Sequence, residues 1–174
     1  MTDTPHHDEP VRGVRLAVDV GQARVGLAAT DPGGILASPV ATLRRDNKNL
    51  RDVRQIVDEV IERNAVRVYV GDPINLKGKK TASTEDAHRF ARQLSQALAE
   101  AELSTQVRLV DERLSTVSAS QKLHQAGVSS RNQRAVIDQL AAVAILEHAL
   151  MLERNSGVNT GTLVPPQQEE DSDG

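Results

Sequence analysis

Two kinds of apolar pattern alternate along the chain, and their order lays out a fold. Val14–Val20 is a short β-rich run, Gly21-Gln22-Ala23 supplies a turn, and Arg24–Thr30 is a second run, so the pair predicts an antiparallel hairpin. The following ILASPVATL adds a candidate third strand. From Asn47 to Arg63 the period changes: Leu50, Val53, Ile56, Val57, Val60 and Ile61 recur at helical spacing between charged residues. Val66–Val70 reads as a buried strand stopped by Gly71-Asp72-Pro73, because proline cannot donate to a ladder. After a lysine-rich loop at 74–82, Ser83 or Thr84 is the expected cap of a helix with Ala87, Phe90, Ala91, Leu94, Ala97 and Leu98 on its inner face. Gln106–Val110 is the next strand, Ser115 or Thr116 opens a helix that Gly127 stops, and a last helix occupies about Arg131 to Arg154. Three meandering strands followed by helix and strand units predict an α/β domain, a mixed sheet of three antiparallel strands and then parallel ones, flanked by helices.

Composition narrows this picture. A chain of 174 residues suits one core, since a domain of about 150 residues buries roughly 70% of its unfolded surface. Residues 13–155 form the expected domain, and 1–12 and 156–174 are expected to be disordered acidic tails. The absence of cysteine excludes disulfides and thiolate metal sites and fits a cytoplasmic location. No uninterrupted run reaches the roughly 18 apolar residues of a membrane helix, and MTDTPHHDEP lacks the features of a signal peptide. The net charge of −3 is set by the tails, where Asp3, Asp8, Glu9, Glu169, Glu170, Asp171 and Asp173 stand without a Lys or Arg in 1–10 or 156–174. Without those seven, 17 acids face 21 basic residues, a balance compatible with nucleic acid. Tyr69 and Phe90 are the only aromatics, so phosphate contact is a better expectation than base stacking.

Three carboxylates carry the candidate chemistry. Asp19 ends the run LAVD and shares a strand face with Ala17; Glu112 follows RLVDE; Asp138 shares a helix face with Ala141, Ala142 and Ile145. Singly, each has an ordinary reading as a turn, capping or helix-dipole residue. Convergence at one sheet edge would need a cation to offset their repulsion, and an all-oxygen set favours Mg²⁺ or Mn²⁺ in one or two sites. Such a centre suits phosphodiester hydrolysis. Lys77, Lys79, Lys80, Arg113, Arg131 and Arg134 are candidates for phosphate contact, although a short lysine run equally fits a solvated turn. GKKT is not a P-loop, because Gly71 and Gly78 stand too far apart. His6 and His7 lie in the expected tail, and His88, His124 and His148 are scattered with no assigned role.

Four segments, LAVDVGQARVGLAATD, VYVGDPINLKG, VDERLSTVSA and VIDQLAAVAIL, occur in this order over residues 13–150. In them the chain resembles the YqgF (RuvX) family, described as Holliday junction resolvases and as pre-16S rRNA processing nucleases. The resemblance implies an RNase H-like fold, a nucleic-acid substrate (structured RNA precursor or branched DNA), a monomer or homodimer, and Asp19, Glu112 and Asp138 as metal-binding catalytic acids. Asp72 departs from the family's usual Gly-Leu-Pro and adds an accessory carboxylate. Two alternatives stay open. A non-catalytic RNase H-like binding module would have no use for three acids that repel phosphate, and an actin-like or sugar-kinase ATPase would need a second copy of the domain.

Overall fold

The computed structural model describes residues 12–73, 81–112, 131–157 and 160–166. Six strands form one sheet: β1 Arg15–Val20, β2 Arg24–Thr30, β3 Ala37–Arg44, β4 Arg67–Asp72, β5 Gln106–Asp111 and β6 Thr162–Val164. Their spatial order is β3-β2-β1-β4-β5-β6. The first three pair antiparallel, while β4 runs parallel to β1 and β5 parallel to β4. The ends of β1, β4 and β5 therefore emerge at a common edge. This is the predicted mixed sheet, and among the described residues three helices, α1 Arg51–Arg63, α2 Ala82–Glu100 and α3 Arg131–Ser156, flank it.

Alternation along the strands sorts the core into two layers. Leu16, Val18, Val68, Val70 and Val107 pack with Val53, Ile56 and Val60 of α1 and with Phe90, Leu94 and Leu98 of α2. Ala17, Ala28, Tyr69 and Val110 face the other way, against Ala142, Ile145, Leu146, Ala149 and Leu150 of α3. By length and composition α3 is apolar enough to cross a membrane. Small and branched residues along its inner face are buried against the sheet, a third of the apolar stretch in all.

Several expectations shift at the boundaries. Thr81, rather than Ser83 or Thr84, caps α2, and its reciprocal partner is Thr84, whose hydroxyl also donates to the Pro73 carbonyl at 3.0 Å. β4 continues through Gly71 and Asp72, longer than the apolar run implies, because Asp72 still pairs with Asp111. The ordered body also extends beyond residue 155. β6 adds to the β5 edge, with Val164 buried and its carbonyl accepting from Ser95 Oγ at 2.7 Å. Three strand residues are too few to give a period. The remainder of both tails, the lysine loop and the helix expected after Ser115 lie outside the described residues.

At the opposite end of the sheet from the strand-end acids, Glu153 of α3 is buried among charges. Arg15 Nη2 lies 3.1 Å from its carboxylate and Tyr69 donates its hydroxyl to it. Arg67, also buried, adds attraction to the same group. Removing Glu153 leaves two buried guanidiniums without this carboxylate, a loss that typically amounts to about 3–5 kcal/mol. Urea denaturation of Glu153→Ala should show a drop of that order; a change below about 1 kcal/mol would mean that the buried cluster rearranges freely.

Candidate active site

Asp19 lies near the end of β1 on the α3 side of the sheet, one step past the last β1–β4 pair, Val18 with Val70. Its β2 partner is Gly26, and Gly71 follows Val70 on β4. Both glycines make room. A Cβ on Gly26 would overlap the backbone carbonyl of Asp138, and one on Gly71 would overlap the Glu112 carboxylate and crowd Ile145. Without side chains at these positions, α3 comes down onto β2 and Glu112 folds back over β4. The α3 end of the site is held from β3 as well. Thr42 Oγ1 donates to the Ala135 carbonyl at 2.7 Å and accepts from Gln139 Nε2 at 3.1 Å.

The electrostatics follow from this crowding. Burial, then the negative charge of Asp138, pushes the Asp19 carboxyl from 3.8 up to about 7. Burial, then repulsion from Asp19, Asp72 and Asp111, pushes Glu112 from 4.5 up to about 8. Asp138 meets a cation: Arg24 Nε donates to Asp138 Oδ2 at 2.7 Å. Asp19 is coupled to Asp138 on one side and to Glu112 on the other. Their hard anionic oxygens are the donor type that Mg²⁺ or Mn²⁺ takes. A divalent ion would offset the burial and repulsion that raise Asp19 and Glu112. Among the described residues no group of three acidic or histidine side chains stands in metal-binding geometry.

Other groups surround the acids. Asp72 and Asp111 are neighbours in register at the ends of β4 and β5, and Asp72 Oδ1 lies 2.9 Å from His88 Nε2 on α2. The turn after Asp19 is fixed by Arg45, which donates to the Gly21 carbonyl at 2.7 Å and to both Asp86 oxygens at 2.8 and 3.0 Å. The same guanidinium lies 3.4 Å from Asp52 of α1 and over the Phe90 ring of α2. One arginine thereby ties the site's turn to both helices on the far face.

Of the predicted phosphate contacts, Arg134 is exposed on α3 one turn before Asp138. Lys77, Lys79, Lys80 and Arg113 lie outside the described residues, as does the side chain of Arg131. Sequence reasoning missed Arg24 and left His88 without a role. Arg24 had a usable signal, since two-residue alternation through Gly26 puts it on the face of Asp19. His88 had none, because its contact joins a helix to a strand end sixteen residues earlier.

A mixed sheet with helices on both faces and acids from β1, the end of β5 and the last helix gathered at one edge defines an RNase H-like protein. The chain belongs to the RuvX (YqgF) family: the family model described as Holliday junction resolvase matches residues 13–152. A relative from Clavibacter sepedonicus, named "Putative pre-16S rRNA nuclease", is 52% identical over 153 residues, covering 88% of this chain and 92% of its own. One of the same name from Mycobacteroides abscessus is 48% identical over 155 residues, 89% and 91% of the two chains. Among solved structures, RuvC of T. thermophilus in complex with Holliday junction substrate superimposes with a TM-score of 0.53, covering 85% of this chain and 99% of that one. Its 13% identity makes this a likeness of fold.

The raised acids give stability a defined pH dependence. Asp19 and Glu112 bind protons more tightly in the folded than in the unfolded chain, so their contribution is fullest below 3.8 and 4.5 and is lost as pH rises through about 7 and 8. Asp86, lowered chiefly by its hydrogen bond from Arg45, acts in the opposite sense and only as pH falls below its ordinary value of 3.8. The metal-free protein should therefore melt at lower temperature at pH 8 than at pH 5, roughly the two ends of this window. Asp19→Asn should flatten the slope; an equally steep slope in that variant would show that the buried acids are not its source.

Proposed function

We propose that the protein is a metal-dependent nuclease that hydrolyses phosphodiester bonds, with Asp19, Glu112 and Asp138 as its catalytic acids. The observation that carries this reading is the crowding of Asp138 over Gly26 and of Glu112 over Gly71, on either side of Asp19, where burial and mutual repulsion raise Asp19 and Glu112. Such a cluster is unfavourable for a merely structural site and suited to a divalent cation. Asp19, Glu112 and Asp138 would hold one or two Mg²⁺ or Mn²⁺ ions. Bound there, the ion supplies Lewis acidity toward the phosphate and toward an attacking water. The protein's own part is to orient. Short hydrogen bonds from Thr42 and Arg24 fix the α3 end of the site, and the Arg45 hub fixes the turn beyond Asp19. Water attacks phosphorus in line and a sugar oxygen leaves, so no covalent intermediate with the protein is needed. Lys77, Lys79, Lys80, Arg113, Arg131 and Arg134 would take flanking phosphates.

Pre-16S rRNA, cut at its 5′ end, is the favoured substrate, because relatives named for pre-16S rRNA share about half of all positions over nearly their full length. Holliday junction DNA is the second reading, favoured by the family description. The setting for either is a soluble cytoplasmic enzyme.

A direct test presents a labelled rRNA-precursor 5′ segment and a four-way DNA junction to the protein with Mg²⁺, Mn²⁺ or EDTA. Cleavage should require metal, favour the RNA and fall at least about a thousandfold in Asp19→Asn, Glu112→Gln and Asp138→Asn, the scale on which transition-state charge stabilisation is lost. Activity that survives all three substitutions in folded protein would refute the site. Binding without cleavage of either substrate would favour a non-catalytic RNase H-like module.

A further inference from the structure

Arg24 is held by one edge and open on the other. Its Nε donates to Asp138 Oδ2 at 2.7 Å, yet its side chain keeps 36% of its surface exposed. Among the described residues the two terminal amino groups make no hydrogen bond. A guanidinium carries five N–H donors in a planar fork, so one bond to Asp138 leaves four directed elsewhere. Across the hairpin, the register partner of Arg24 is Arg44, which is exposed and has no acidic partner among the described residues. Like charges directly opposite in an antiparallel pair are destabilising. Asp138 neutralises only one of them. The rim of the carboxylate site thus carries a fixed, partly satisfied arginine with a second arginine beside it.

Resting on the nuclease reading above, we propose that Arg24 is a substrate-contacting residue: anchored through Nε by Asp138, it presents its terminal amino groups to a phosphate of the bound strand, with Arg44 taking a neighbouring one. Metal ligand and phosphate clamp are then aligned by a single carboxylate. Asp138 Oδ2 holds the arginine, and the same carboxylate would help to hold the cation. The geometry asks for arginine specifically. A lysine ammonium reaching Asp138 would be a point charge and would lack the rigid fork that serves both partners.

The test measures binding without cleavage. The labelled rRNA-precursor segment and the four-way DNA junction are titrated in EDTA over a salt series against wild type, Arg24→Ala, Arg24→Lys and Arg44→Ala, with melting curves to confirm folding. Arg24→Ala should weaken binding roughly tenfold or more, as expected for loss of a charge-assisted contact. It should also lower the salt slope by about one. Arg24→Lys should restore the slope but not the affinity, and Arg44→Ala should lower the slope with a smaller loss. Unchanged affinity and slope in Arg24→Ala would overturn the proposal and leave Arg24 as a counter-ion of Asp138. Full rescue by Arg24→Lys would overturn the bidentate geometry. The predicted binding losses in a protein that cleaves neither substrate would sink the nuclease reading while sustaining the clamp, whereas a wild-type protein that binds neither would overturn both.

Discussion

The approach of α3 to the sheet at Gly26 is the constraint on which the rest of the site depends. A methyl group there would collide with the Asp138 carbonyl, so the helix that carries the third acid can descend only because its β2 contact has no side chain. Ala141, Ala142 and Ile145, buried along the same helix, keep the surface narrow enough for that descent. Gly71 does the corresponding work on the other side of Asp19, where the Glu112 carboxylate needs its space. Protein interiors are packed too tightly to absorb such collisions without moving an element. Two missing side chains therefore set the separation of three charged ones.

Crowding acids in this way is unfavourable, and the structure offsets it unevenly. Asp138 receives Arg24, and Asp86 and Asp52 share Arg45. Asp19 and Glu112 are instead raised, to about 7 and about 8, by burial and by the neighbouring acids. Under the proposed function this division has a purpose. Arginines secure the frame around the site, while the two protonatable acids remain able to exchange their protons for a cation.

Much of this was legible in the sequence. Two-residue alternation placed Asp19 on the face of Ala17, helical spacing placed Asp138 on the face of Ala142 and Ile145, and the strand before Glu112 ended at the same sheet edge. These are local periods, and they survive folding because burial enforces them. Less legible were contacts that no period encodes. Arg24 meets Asp138 across 114 residues, and His88 meets Asp72 from a different element. β6 escaped notice because Thr162–Val164 is too short to show a pattern, and Thr81 was passed over as a cap because Ser83 and Thr84 offered the same chemistry within one turn. Gly26 drew no reading and Gly71 was taken only as part of a strand stop, because what each accommodates depends on a residue distant in the chain or folded back over it.

Under the proposed function, Asp19 and Glu112 give up protons when a metal binds. Titration calorimetry of Mn²⁺ into the protein near about pH 6.5, in two buffers of different ionisation enthalpy, tests it directly. Binding accompanied by proton release, seen as a heat that changes with the buffer and lost in the Asp19→Asn/Glu112→Gln variant, is the predicted result. Absence of Mn²⁺ binding, or a wild-type heat indifferent to buffer, would contradict the account.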